Sequence, residues 1–579
     1  MNDRRPLIAI ALILVISVAP MFWNRPAPLP VGADSSVVSK AGGPAPLAGA
    51  VNAPATMQAA PTGDTIAPVV RVPERVISVR SPLYRYGIST RGGQFVSSRF
   101  QSYTTMYPGD TLATGTRDTL ELLRRDAPLL TGKLVVSGDT LHLDRIDFTA
   151  SADSLVAIDA PATLELTGQS GRYTIALRYQ FAPDDYRVHV TGSVTGLTGT
   201  GATLLLGLAD GFRETEDDTV ANHREGGVVT KLDKTTLTRF SDLEVGESRV
   251  LTGPFEWVAV KSKYFVAGLF AYDSTAVGGA RGLIGAVRAH ARQTNVKEPT
   301  RADVVASVVV PPSGLFAWSL FLGPMEYDHL TRVGHDFDDV NPYGWPGFRT
   351  VIRPFAVGIR SFFVWLHTST GLSYGWVIVI FGILVRLLLW PLNQKAMRSM
   401  VAMQAIQPQL TALQTRYKED PQRQQAEMFK LYKENKVNPF GGCWPMLLPY
   451  PLLLAVFFVL ANTIELRGVP FLWMTDLSRF DPLYIIPVIM AVSMFAVSKI
   501  GQMGMPPNPQ AKMMMYMMPV MMLVLFSRFA AGLNLYYTIQ NIVSLPQQWL
   551  IMKERKKLVP KAAPAVEVKT KQKSLVVGR

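Results

Sequence analysis

The chain has 579 residues, 48% of them hydrophobic and only 18% charged, with a mean hydropathy of +0.17, which is more apolar matter than a soluble protein of this size needs. Its one cysteine, Cys443, excludes an internal disulfide framework and a thiolate-rich metal site. The net charge of +14 raises nucleic acid as a partner, but the basic residues gather beside apolar segments, where anionic lipid or ribosomal RNA is the better match.

Six segments have the length and hydropathy of membrane spans, near 7–23, 372–391, 444–463, 482–500, 513–529 and 533–552. The first follows Arg4 and Arg5, and Pro20, Trp23 and Pro26 make a poor cleavage site, so residues 1–23 read as an uncleaved anchor with its amino terminus in the cytoplasm. The charge bias agrees with that orientation: Lys395, Arg398, Arg416, Lys418, Arg423, Lys430, Lys433 and Lys436 follow the second span, whereas the loop after the third carries Arg467 and Arg479 beside Glu465, Asp476 and Asp481. Both termini then lie in the cytoplasm.

Residues 24–70 form a Pro/Ala/Gly-rich linker with too little apolar surface to offset chain entropy. From 71 to 330 the pattern changes to short alternating runs, such as 162–167, 173–179 and 186–191, with turn residues at 168–171 and 183–185. This predicts a large antiparallel all-β sandwich outside the membrane, big enough to bury its own core. A connector over 331–350 follows. His329, His335, Asp336, Asp338 and Asp339 cluster at its start, but their spacing matches no helical zinc motif, and no metal or cofactor is expected. No P-loop signature is present, which argues against an ATP-driven pump of that type.

Over 351–367, Ile352, Phe355, Ile359, Phe362, Phe363 and Leu366 recur at helical spacing with Arg353 and Arg360 between them. An amphipathic helix in the outer membrane interface fits this pattern, and so does a helix packed at the base of the sandwich. The core that follows, 368–552, holds Arg386 inside the apolar run from Trp376 to Trp390. A charge at that depth costs at least about 2.5–3.5 kcal/mol unless it faces protein, water or a counter-charge, although near the break at Pro391 it has the option of snorkelling. A helical hairpin is expected over 393–436. Met403, Leu410, Leu413 and Tyr417 mark its first arm, and Asp420 is the N-cap and Pro421 the first residue of its second arm, which carries Met428.

In the sixth span Asn534, Tyr537, Asn541, Ser544 and Gln548 are spaced three, four, three and four, with Gln540 and Gln547 alongside and Leu535 and Ile542 opposite. Such a stripe either bonds neighbouring helices or lines water; alongside an intramembrane arginine, the hydrated cavity is the expectation. Met514, Met517, Met518 and Met521 belong to a methionine-rich stretch around the fifth span, suited to varied apolar shapes, though ordinary packing uses methionine too. Beyond 552 the tail, 553–579, is strongly basic.

The runs Val385-Arg-Leu-Leu-Leu-Trp-Pro-Leu392, Ser399-Met-Val-Ala-Met-Gln-Ala-Ile-Gln-Pro408, Leu431-Tyr-Lys-Glu-Asn-Lys-Val-Asn-Pro-Phe-Gly-Gly-Cys-Trp-Pro445 and Gly532-Leu-Asn-Leu-Tyr-Tyr537, with the Asp420-Pro421 break, resemble the YidC family of membrane protein insertases. The outer domain matches more loosely, through Leu83-Tyr-Arg-Tyr-Gly87, Lys263-Tyr-Phe265 and Gly323-Pro-Met-Glu-Tyr327, and its presence resembles the Gram-negative form. The resemblance implies a multi-pass inner-membrane protein with a periplasmic domain, working without enzymatic chemistry or cofactor. It implies a groove open to cytoplasm and lipid, with Arg386, Asn534, Tyr536, Tyr537, Gln540, Asn541 and Ser544 as groove residues and Leu453 beside the four methionines as an apolar client surface. Nascent membrane proteins, the Sec translocon with its accessory subunits, the ribosome and lipid are the implied partners, with no small-molecule substrate. Two positions depart from the family pattern: Gly382 stands where threonine is common, and Pro449 where glutamine is expected. The alternative reading is a secondary transporter using Arg386 for an anionic solute, which internal repeats would favour and none is seen.

Overall fold

A computed structural model describes residues 38–39, 73–110, 117–197, 199, 201–208, 211–272, 283–293, 300–344, 347–418, 420–435, 450–503 and 509–558. The expected first span, nearly all of the linker, residues 436–449 with the start of the expected third span, and the tail beyond 558 lie outside these. The chain divides into two compact units, 1–340 and 341–579.

The first unit is β-rich. Its described strands form sheets of seven, nine and five strands, antiparallel except where Val76–Arg80 runs parallel to Ser154–Val156. The predicted alternating runs at 162–167, 173–179 and 186–191 are realised as three longer neighbouring strands, Ala162–Ser170, Tyr173–Phe181 and Arg187–Thr195. The first hairpin turns at Gly171 and Arg172 with Gly171 at φ 58°, so Gly168 lies inside a strand and not in the turn. There a side chain would meet Phe148 and Ile146, which explains the glycine.

Strand Tyr84–Ser89 of the five-stranded sheet is buried at every position but Arg85, and Leu315–Pro324 at every position but Leu315. Both lie between covered faces, so their burial shows no period of two, and Leu315–Pro324 reads as a nearly continuous apolar run. Tyr84 and Tyr86 stack at 3.9 Å, and the Tyr86 hydroxyl donates to the Leu322 carbonyl at 2.5 Å, joining the five- and nine-stranded sheets.

The expected boundary of this domain moves. Helix Tyr327–Val333 and the turn Phe337–Val340, the first half of the expected connector, pack into the β core. Phe337 is fully buried with its ring 5.0 Å from Trp257, 4.8 Å from Phe270 and 5.4 Å from Phe321. Sequence reading gave the segment's acidic residues more weight than its aromatic one. Phe337→Ala should remove about 3–5 kcal/mol from this unit, as truncation of a buried ring does; denaturant unfolding of the full chain followed by tryptophan fluorescence measures it, and a loss under 1 kcal/mol would return the segment to the role of a loose connector.

The second unit is helical: α1 (Arg349–Thr370), α2 (Tyr374–Leu388), α3 (Trp390–Ala405), α4 (Gln407–Arg416), α5 (Pro421–Glu434), α6 (Tyr450–Asn462), α7 (Ile485–Gln502), α8 (Pro509–Phe526) and α9 (Ala531–Leu558). Among the described residues only α7 is by itself long and apolar enough to cross a membrane, or two spans if α2 and Trp390–Ala396 count as one bent by 51°. Helix length therefore does not reproduce the six spans counted from hydropathy. The first expected span lies outside the described residues and α6 is described only from Tyr450, over 13 residues; the apolar part of α8 begins at Ala511, and α9 runs on from its polar stripe into basic residues. Because α9 continues to Leu558, the expected tail begins as helix.

The bend follows from Pro391. Proline lacks the N–H that the Leu387 carbonyl would receive and its ring crowds that carbonyl, so the helix breaks at Leu389. In α1 the face made of Ile352, Ala356, Ile359, Phe363 and Leu366 is buried, while Val351, Phe355 and Trp365 are exposed. Arg360 lies on the buried face and pairs with Glu465, its Nε 2.8 Å from the carboxylate. The helix is thus packed on one side and apolar on the other.

Candidate functional site

Helix α9 stands at the centre of the bundle. On one side it meets α2 through Gly382, whose missing side chain lets Ile539 approach, and through Phe381, whose ring lies 6.1 Å from that of Tyr536. On another it meets α7, where Asn541 Nδ2 donates to Ser493 Oγ at 3.2 Å and to the Met490 carbonyl at 3.4 Å.

Arg386 lies three residues before the bend between α2 and α3. Alone, α2 has 15 residues, short of the roughly 20 a membrane crossing requires. With Trp390–Ala396 as the inner half of one bent span, Arg386 falls near its middle. The side chain is half-buried, Nε has no hydrogen-bond partner, and among the described residues no carboxylate pairs with it. A buried guanidinium nitrogen without an acceptor costs free energy and is a group for which an anionic or polar visitor is complementary.

The polar stripe of α9 is placed differently from expectation at several positions. Asn534 is fully buried and donates to the Phe526 carbonyl at 2.9 Å; Ser544 is buried and donates to the Asn541 carbonyl at 2.6 Å. Gln540 and Gln547 donate to the carbonyls of Gly382 and Trp390, at 2.8 and 3.1 Å. Much of the stripe is thus engaged, Ser544 within its own helix and Asn534, Gln540 and Gln547 with neighbouring segments. Tyr537, half-buried beside Phe526 at 5.4 Å, keeps an exposed portion, while Tyr536 is fully buried. Leu535, opposite the stripe by helical spacing, is buried as well because other helices surround this part of α9, whereas Ile542 is 44% exposed. Helical periodicity identifies a face; it carries no information about how many faces have neighbours.

Of the apolar candidates, Met514 and Met517 are exposed on α8, and Met518, Met521 and Leu453 are half-buried. Val520 and Val524, both exposed, extend the Met514 and Met517 side of α8. In the hairpin, Leu410 is buried, and Met403, Leu413, Tyr417 and Met428 are half-buried. Asp420 caps α5 by accepting from the Arg423 N–H at 3.0 Å, and the Tyr417 ring lies between the guanidinium groups of Arg416 and Arg423, at 5.6 and 5.4 Å. Arg398 of α3 pairs with Glu554 of α9 at 3.0 Å.

At the opposite end of the bundle, the segment 463–484 is compact. Ile464, Leu466, Phe471, Met474 and Leu477 are buried, and the Phe471 ring fills the space a side chain at Gly375 would need. Asp481, fully buried, accepts from the N–H groups of Leu483 and Ile486 and from Trp473 Nε1, starting α7. The carbonyls of Leu477 and Arg479 accept from the N–H groups of Gly532 and Ala531, closing the start of α9. In the sequence this segment shows only as the loop after the third span, with no signal of this packing.

In the β unit, His329 lies beside Glu326 at 3.3 Å, with burial pushing its imidazole below the usual pKa against that carboxylate, while His335 faces Glu256 at 3.9 Å. The two histidines serve different partners, and among the described residues no three histidine, cysteine or acidic side chains converge.

The family model described as the YidC periplasmic domain matches residues 76–356, and the model described as the 60Kd inner membrane protein matches 365–558. The membrane protein insertase YidC of Chlorobium luteolum is 31% identical over 521 residues, 84% of each chain, and that of Chloroherpeton thalassium 32% identical over 516 residues, 83% of each. A crystal structure of an active YidC insertase with its first transmembrane domain resolved aligns over 94% of this chain and 99% of that one, at 16% identity and a TM-score of 0.32.

Proposed function

This chain belongs to the YidC family of membrane protein insertases, and from that premise we propose that it inserts its clients by drawing their polar flank to Arg386 from the cytoplasmic side while their apolar segment moves along α8 into lipid. The observation that carries this reading is the arginine itself: a half-buried guanidinium at the bend of a span, with Nε unpaired. A client flank crossing hydrocarbon unaided leaves polar groups without partners, at several kcal/mol each. Beside Arg386 and Tyr537 such groups meet polar surface, and acidic ones gain a charge-assisted contact. Burial of the client's apolar segment in lipid supplies the driving force, with no nucleotide and no enzymatic step.

In this reading the chain crosses the inner membrane six times, through 7–23, the bent pair of α2 and the start of α3, α6, α7, α8 and α9, with both termini in the cytoplasm. Hairpin α4–α5 and the basic residues after 552 meet the ribosome, and the Sec translocon with its accessory subunits is a further partner. The closed packing of 463–484 supports a groove that ends before the periplasm. No relative or family model reported above is a transporter, so the anionic-solute alternative is not carried further.

Photo-crosslinkers placed at 386, 514 and 537 test the route with ribosome-bound nascent chains. Adducts to the client are expected from all three, and none from 365, where Trp365 is exposed on α1. Adducts from 365 alone would sink the proposed path.

A further inference from the structure

Gln540 and Gln547 are seven residues apart, close to two turns of α9, and project to the same neighbour. Gln540 Nε2 donates to the Gly382 carbonyl at 2.8 Å and Gln547 Nε2 to the Trp390 carbonyl at 3.1 Å. Gly382, Arg386 and Trp390 are spaced four and four, so the two bonds fall one turn before and one turn after the arginine. Between them lies the 51° bend that Pro391 imposes. A helix broken at that point has lost the backbone bond that would fix its angle, and two anchors, one on each side of the break, restore it.

The anchors depend on close approach. A Cβ at 382 would stand 3.1 Å from Ile539 Cγ2, so the glycine that departs from the family's usual threonine is what lets α9 come near enough for Gln540 to reach the carbonyl. Gln547 is 2% exposed and its Oε1 has no partner, a costly choice if packing alone were needed, since methionine fills the same volume. General interhelical bonding predicts contacts anywhere along α2 and α3; both of these flank the same charge.

We infer that Gln540 and Gln547 are positioning residues, which bracket Arg386 and set the direction in which its guanidinium faces. This rests on the reading of Arg386 as the client-attracting charge, and adds how that charge is aimed.

Two measurements on the full-length protein in membranes test it. In an Arg386→Cys, Cys443→Ser chain, the rate of reaction with a membrane-impermeant maleimide supplied from the cytoplasm reports where position 386 faces. Adding Gln540→Met and Gln547→Met should change that rate at least about threefold, the scale of one lost membrane hydrogen bond. With Arg386 present, the same pair of substitutions should lower insertion of a client with an acidic flank about fivefold and of the same client with a neutral flank less than about twofold, and on an Arg386→Ala chain should add no further loss. If the double variant fails to accumulate, each single variant is read in both assays.

An unchanged thiol rate overturns the bracket, and so do equal losses for the two clients or a full additional loss on the Arg386→Ala chain. A changed rate beside an Arg386→Ala protein that inserts both clients normally keeps the bracket and removes the functional reading of the arginine.

Discussion

Arg386→Ala should lower insertion of a client with an acidic flank by about tenfold to a hundredfold, the range that corresponds to one hydrogen bond to a charged group. The alanine variant keeps the apolar character of α2 and removes only the group that an anionic flank would seek. Arg386→Lys should retain a substantial part of the activity, because the charge remains while the planar fork of donors is lost. A neutral-flank client should be affected less than an acidic one, since it forfeits hydration and not attraction. Reconstituted insertion assays with the two clients, normalised to the amount of folded protein, measure the difference. Wild-type rates in the alanine protein would leave Arg386 as a snorkelling residue.

Arg360→Met should destabilise the helical unit by about 3–5 kcal/mol, the cost of stranding one member of a buried ion pair. Arg360 is 4% exposed and Glu465 keeps only 17% of its side-chain surface, so the remaining carboxylate has little water to turn to. The pair ties α1 to the segment that follows α6, and its loss loosens both. Arg360→Met with Glu465→Met should recover most of the stability, because apolar side chains of similar volume replace a buried pair well. Thermal unfolding of the purified protein in detergent reads all three variants. Equal losses in the single and double variants would show that shape, and not the stranded charge, sets the cost.

Local signals in the sequence were read where chemistry is local. Pro391 announced a break that appears as the bend at Leu389, and Asp420 before Pro421 announced the cap of α5. The strands over 162–195 follow their alternation because one face of each is less covered than the other. Leu315–Pro324 carries no alternation because both faces are covered, and nothing in a buried apolar run tells which strands will flank it; Tyr84–Ser89 alternates in sequence, yet its Gly87 and Ser89 are buried as well. The same limit applies to the site. That Arg386 was unusual followed from its neighbours in the chain, but the partner of Arg360 lies 105 residues away, and Gln547 reaches Trp390 across 157. In sequence Gly382 is only a departure from the threonine common in the family; in three dimensions it is the clearance that Gln540 uses.

The packed segment 463–484 bears on the energy supply of the cell. A protein that opens a wet path into the bilayer risks leaking protons and sodium down the gradients the membrane maintains. Here an ion travelling outward along the bundle would meet Phe471, Met474 and Leu477, all buried, and would have to shed its hydration shell among apolar side chains. The carbonyls of Leu477 and Arg479 each accept a first-turn N–H of α9, which leaves them at most one further lone pair with which to replace the lost water. If the proposed groove is wet, insulation of this kind would let the protein stand idle in an energised membrane without discharging it.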